Sequence, residues 1–455
     1  MRPIVPRIAL LAALSLLLSL TLGIRQGSSV RANGGGDDAP TFRMDPAHSG
    51  AQPADSLRPP LRKAWAVDLG GPVYFPLIVD GTVYVVAGNM ANGSYANYGS
   101  RLYALSLADG HVIWGPKDAD PHGTYYFSGL TYDAGRLFVA SGSGGLRAID
   151  PKTGADLWPQ PAPVPGLGID AQPTAVNGVV YVTAEGNQYS PPYYSADDAN
   201  VSAFRESDGL RLWTSGIDSG LWSAPVVTAN GVYVTGGACE DTWAFNPTTG
   251  AQLWKYQTGC YGGGGTTAAL WQGKLYVRDN ANAAGTILDP ANGTALGHFP
   301  SRILPAFNGS TAFLLDQNSN NNTLVAWDVN TRTPRWTVAP PAGDLFAVAP
   351  VYVNGFVFEA TRNGSLVAIN ASLGSLVWSG DVGTAITGTS NENNPDESTG
   401  ISIGEGTLLL PVNTALVAYT SASARELSPA PGSSSTAHFR GRSTPPPPRF
   451  RQRIR

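Results

Sequence analysis

Cysteine, histidine and charge are all scarce in this sequence. Its 455 residues hold two cysteines and five histidines, and Asp, Glu, Lys and Arg together make up only 14%. Nothing resembles CxxC or CxxCH, which leaves no thioredoxin-like redox centre and no c-type haem attachment. His48, His111, His122, His298 and His438 are scattered. There is no HExxH for zinc, no GxSxG elbow for a nucleophilic serine and no GxxxxGK[ST] loop for phosphate. Runs of Glu, Lys, Ala and Leu that would favour helices are missing too. Gly and Pro, by contrast, number 54 and 36. That balance favours short strands and many turns.

The charge that is present is unevenly placed. Residues 33–420 carry 18 Lys and Arg against 32 Asp and Glu, whereas residues 421–455 carry seven Arg and one Glu. An acidic body argues against nucleic acid, whose phosphates require a basic surface. The stretch 421–455 is rich in Pro, Ser and Arg with little to bury, so it is expected to be a disordered tail. Its basic end is one route to an anionic surface. At the other end, "MRPIVPRIALLAALSLLLSLTLGI" sets two arginines before an apolar run from Ile8 to Ile24, and small residues follow. Residues 1–32 therefore read as an export signal, with an uncleaved membrane anchor as the competing reading. In an exported chain, an isolated pair such as Cys239 and Cys260 is expected to form a disulfide.

What the chain has in quantity is a repeat. "ALSLADGHVIW", "AIDPKTGADLW" and "AFNPTTGAQLW" each separate an alanine from a tryptophan by ten residues. The interval holds for Ala104 and Trp114, Ala148 and Trp158, Ala203 and Trp213, Ala244 and Trp254, Ala326 and Trp336, and Ala368 and Trp378. Before each phrase stands a tight turn and an alternating apolar run, such as "DGTVYVV" or "NGVVYVT", the pattern of a hairpin leading into a strand. Each period of roughly 40–50 residues thus carries four short strands, the content of one propeller blade. Seven units are complete. The fifth is degenerate, with Gly297 where the tryptophan belongs. An eighth stops at its third strand, and "LRKAWAVDL" around Trp65 supplies the missing fourth. The expected fold is all-β: an eight-bladed propeller of four-stranded antiparallel blades over residues 58–420, closed by an N-terminal strand. Trp65, Trp114, Trp158, Trp213, Trp254, Trp336 and Trp378 are expected to dock blade on blade. Alanine and glycine leave room for each flat ring, and a turn carbonyl accepts the indole N–H.

"AIDPKTGADLW" matches every fixed position of A-x-D-x-x-T-G-x-x-x-W, and the sequence resembles the PQQ-type β-propeller repeat family from about residue 41 to 420. The segment "FRMDPAHSG", within residues 33–57, is similar to the lead-in of secreted members. The resemblance implies an eight-bladed propeller and two functional branches. One is the quinoprotein dehydrogenases, with PQQ and calcium; the other is non-catalytic envelope scaffolds similar to the assembly factor BamB. The chain has no adjacent cysteines and no motif that carries a calcium ligand or a catalytic aspartate across. Fold likeness alone therefore does not transfer the activity.

Strand order places the site. In a four-stranded meander the first-to-second and third-to-fourth turns share one face, and here they are uniformly tight. The second-to-third connections and the blade links share the other face and hold all the long segments. Tyr95, Tyr98, Tyr125, Tyr126, Tyr189, Tyr193, Tyr194, Trp222 and Tyr261 fall there, and rigid aromatics beside Asn and Gly suit a protein or glycan partner. Several of them would otherwise simply roof the channel. Cys239 and Cys260 belong to the same face, and a bridge between them would contribute roughly 3 kcal/mol. Asp197 and Asp198 are weak calcium candidates, since no EF-hand order surrounds them. The expectation is an exported, monomeric, non-enzymatic scaffold for an envelope protein or cell-wall glycan. No catalytic residues, metal or cofactor are assigned. A PQQ-dependent oxidoreductase acting on alcohols or sugars is the alternative.

Overall fold

The structure is a computed structural model that describes residues 37–89, 99–120, 128–166, 168–169, 171–184, 199–217, 223–236, 241–258, 267–279, 284–316, 323–386 and 400–423. The short apolar runs pair into eight sheets arranged as a closed propeller, each with four antiparallel strands, and the blade at 351–381 gains a fifth, Ala51–Gln52, that pairs parallel with Val351–Val353. Blade 1 consists of Leu77–Val79, Thr82–Gly88, Ser100–Ser106 and Val112–Asp118, from the axis outward. Blades 2 to 7 follow in order over 128–163, 174–216, 226–256, 269–299, 306–338 and 351–381. Blade 8 takes three strands from 402–421 and its outermost strand from Leu61–Asp68, which pairs antiparallel with Ala415–Ser421. Joining the two ends of the chain in one sheet closes the ring.

The inner hairpins turn as their sequences require. Asp80–Gly81, Ala134–Gly135, Asn177–Gly178, Gln272–Gly273, Asn354–Gly355 and Glu405–Gly406 all have positive φ at both turn residues. That is the type I′ geometry whose twist matches the flanking strands. No described helix is long and apolar enough to cross a membrane.

The alanine–tryptophan interval has a direct geometric cause. Ala104 lies opposite Trp114 across the third and fourth strands, and Ala203, Ala244, Ala326 and Ala368 face Trp213, Trp254, Trp336 and Trp378 in the same way. Ala418 faces Trp65 in the blade assembled from both chain ends. Each indole then reaches into the next blade. Trp65, Trp114, Trp158, Trp213, Trp254 and Trp336 donate their N–H to the carbonyls of Leu107, Pro151, Glu206, Pro247, Pro290 and Ala371 at 2.8–3.1 Å.

The repeat's glycine therefore serves the preceding blade's tryptophan, not its own. A Cβ on Gly209 would stand 2.9 Å from the Trp158 ring, and φ there is +73°. Trp378 departs from the pattern. Blade 8 draws its last strand from the other end of the chain and offers no such turn, so the Trp378 ring packs edge-on against Tyr419 at 6.3 Å.

Candidate functional site

The residues before the first blade determine which mouth of the propeller is open. Inner strands expose unpaired N–H groups toward the axis, and these require acceptors once buried. Residues 37–50 supply them. The N–H groups of Ile78, Tyr132, Val227, Leu270, Phe307, Tyr352 and Glu405 donate to the carbonyls of Ala39, Pro40, Pro46, Ala47, Ser49, Gly50 and Asp37. Blade 3 joins through Ala175 N–H, which donates to Thr131 Oγ1, itself 3.1 Å from Thr41 Oγ1. The segment is thus a belt around the hub that bonds directly to seven blades and reaches blade 3 through Thr131 of blade 2. Left-handed φ values at Arg43, Met44 and His48 curl it. Every strand residue it binds lies beside a first-to-second turn, so the belt caps the channel on the tight-turn face. The segment that precedes the first blade is thus a plug in this structure.

The belt carries the charge of the hub. Arg43 is 3% exposed, and its guanidinium donates to Pro350 O at 2.8 Å and Pro305 O at 2.7 Å. Burial lowers its pKa to about 10, and the neighbouring Glu359 carboxyl opposes that shift. Glu359 is fully buried and accepts from Val348 N–H and Ala360 N–H at 3.2 Å, and burial holds its carboxyl well above the usual range. His48 is fully buried with Nδ1 3.2 Å from Ala268 O, and burial lowers its pKa to about 3. The imidazole is therefore neutral and Nδ1–H is the donor. These groups hold the plug in place.

A second buried pair lies between blades 2 and 3. Glu206, 2% exposed, is pushed up to about 8 by burial and then by Asp133, to which its protonated carboxyl donates; Arg136 partly offsets this. The native state therefore keeps a proton that the unfolded chain releases above the ordinary value of 4.5. This stabilisation is complete at acid pH and is lost as the pH rises through about 8, on the order of 2–4 kcal/mol. Glu206→Gln is expected to abolish that slope. Urea unfolding at pH 5 and pH 9 checks it: the variant gains on the parent at pH 9 only.

The opposite face is where the sequence placed the partner site. The described strands confirm that the second-to-third connections and blade links share this rim. Tyr95, Tyr98, Tyr125, Tyr126, Tyr189, Tyr193, Tyr194, Trp222 and Tyr261 lie outside the described residues, as do Cys239, Cys260, Asp197 and Asp198. Residues 1–36 and 424–455 lie outside them as well. Asn200, beside the acidic pair, points inward and donates to Pro165 O at 2.8 Å. Among the described residues no group of three or more His, Cys, Asp or Glu is placed to hold a metal ion.

Sequence reasoning missed a relay at blade 5. Thr286 Oγ1 lies 2.7 Å from the Asp279 carboxylate and 3.0 Å from His298 Nδ1, and Asp279 and Thr286 are fully buried. The gap in the repeat at Gly297, next to His298, was the available signal.

Comparisons with known proteins agree with this architecture. An outer membrane protein assembly factor BamB of Moranella endobia is 27% identical over 251 residues, 55% of this chain and 56% of that protein. The quinoprotein alcohol dehydrogenase PedH of Pseudomonas putida is 25% identical over 265 residues, 53% of this chain and 42% of that protein. The chain thus spans about half the length of these curated relatives. The crystal structure of quinohemoprotein alcohol dehydrogenase from Comamonas testosteroni superposes with a TM-score of 0.65 at 16% identity, covering 85% of this chain and 81% of that one. Residues 99–201, 193–302 and 286–433 match the family model described as outer membrane protein assembly factor BamB, and the chain belongs to this family of PQQ-type propellers.

Proposed function

We propose that this protein is an exported, non-enzymatic propeller scaffold of the cell envelope that presents its loop-bearing rim to a protein or glycan partner. One observation carries the reading: the belt of residues 37–50 caps one mouth, while all long connections leave from the other face. A partner approaching along the axis from the uncapped side thus meets the rim. Residues 1–32 would direct export, Cys239 and Cys260 would brace the rim, and residues 421–455 would trail as a solvated tail. The match to an outer membrane protein assembly factor supports a protein partner. A photo-crosslinker at Tyr189, Tyr193 or Tyr194 tests it, with Thr153 on the tight-turn face as control. Adducts on intact cells are expected from the rim positions alone, and equal adducts from Thr153 would overturn the reading.

The match to a quinoprotein alcohol dehydrogenase favours a second reading, a PQQ-dependent oxidoreductase acting on alcohols or sugars. Titration with PQQ and calcium separates the two. A tight complex that reduces dye with alcohols or aldoses supports the oxidoreductase, and absence of binding supports the scaffold.

A further inference from the structure

The seam between blades 5 and 6 breaks the docking rule in both of its parts. Position 297 holds glycine where the repeat has tryptophan. The next blade's turn holds Arg332, at φ +60°, where the repeat has glycine. The exchange is reciprocal in space: a Cβ on Gly297 would strike the Arg332 guanidinium, which also donates to Leu296 O. A flat apolar wedge has thus been replaced by a cation. A guanidinium seals a seam less completely than an indole, and a cavity of about 430 Å³ remains. That volume is within the range of small-molecule sites.

The cavity wall is organised chemically. Phe299, Pro300, Val325 and Pro334 supply apolar surface, and Arg332, His298, Asp316, Thr323 and Thr337 supply polar groups. His298 is oriented by the buried relay. The Asp279 carboxylate is acceptor-only, so the Thr286 hydroxyl donates to it, and the Thr286 oxygen then accepts Nδ1–H of His298. Tyr256 also donates to Asp279, at 3.1 Å. The tautomer is thereby set, and Nε2 is left as the acceptor on the free side of a ring that lines the cavity. Such hydrogen-bonded backing is what fixes the ring orientation of a histidine that binds a ligand. An exposed histidine with no ligand to meet would not require it.

We infer that the blade 5–6 seam is a binding site for a hydroxylated carboxylate, of the class of sugar acids, with Arg332 pairing the carboxylate and His298 Nε2 accepting a sugar hydroxyl. Arg332 presents a planar fork suited to a carboxylate. Threonine hydroxyls donate and accept, and Phe299 and the prolines cover the C–H face of the ring. This site lies in the seam between two blades and does not depend on the rim reading.

Calorimetric titration with glucuronate, glucose and an oligogalacturonate tests the assignment on the full chain. Glucuronate is expected to bind at least tenfold more tightly than glucose, and Arg332→Gln is expected to weaken it at least tenfold. Tighter binding of the oligomer would assign the site to an acidic glycan, and equal binding to a free sugar acid; both support it. The double variant Gly297→Trp with Arg332→Gly restores the regular wedge and is expected to lose binding with a melting temperature no lower than the parent's. Should it fail to fold, Arg332→Gln and His298→Phe give the same readout singly. No binding of glucuronate by the parent, or parental affinity in those variants, overturns the inference.

Discussion

Trp158→Ala is expected to lower the unfolding free energy by about 3–5 kcal/mol, the range for deleting a large buried aromatic. The Trp158 ring is 4% exposed, its centroid lies 5.9 Å from that of Phe138, and its N–H donates to Glu206 O of the next blade at 3.1 Å. Truncation empties the wedge between blades 2 and 3 and leaves that carbonyl without its donor. Trp158→Phe keeps most of the packing and loses the hydrogen bond, so it should cost about 1 kcal/mol beyond the volume change. Chemical denaturation followed by tryptophan fluorescence measures both. A loss below about 1 kcal/mol for the alanine variant would mean that the seam is held elsewhere, against the usual cost of such truncations.

Arg43→Met is expected to be as damaging, because the belt is anchored by one cation. Removing it strips the donors from Pro305 O and Pro350 O and withdraws the positive charge nearest the buried Glu359. Leaving two buried carbonyls without their charged donor costs on the order of 1–3 kcal/mol each. The double variant Arg43→Met with Glu359→Gln should recover part of that loss, since the carboxyl then no longer needs a counter-charge. The readout is the denaturation midpoint, together with protease cleavage between residues 37 and 57. An unchanged midpoint would sink the claim that Arg43 holds the plug.

These two experiments probe features of very different visibility. The tryptophan wedge was readable from the chain because a four-strand blade repeats: one local solution to covering a sheet edge recurs at a fixed interval. The degenerate fifth unit was readable for the same reason, since Gly297 interrupts the interval. That Arg332 compensates for it was not, because the two residues are 35 positions apart and meet only across a seam. Which ring each glycine receives was likewise not readable. Within one phrase, glycine and tryptophan are neighbours in sequence, yet the ring turns away from its own turn and covers the next blade's. The relay Asp279–Thr286–His298 lies on three strands of a single blade, and beyond the gap at Gly297 beside His298 no spacing links its members.

The sequence by itself determined the class of fold, the number of blades, the strand that closes the ring and the face that bears the long loops. Each follows from local rules of hairpin twist and side-chain alternation, repeated until the ring was full. Only the tertiary structure decided that residues 37–50 seal the hub, that Arg43 and His48 are buried there, and that one seam holds a cavity. Those features depend on which unpaired N–H groups and which missing ring volumes come together at the axis and between blades. Such needs are set by closure of the whole wheel and leave no periodic trace along the chain.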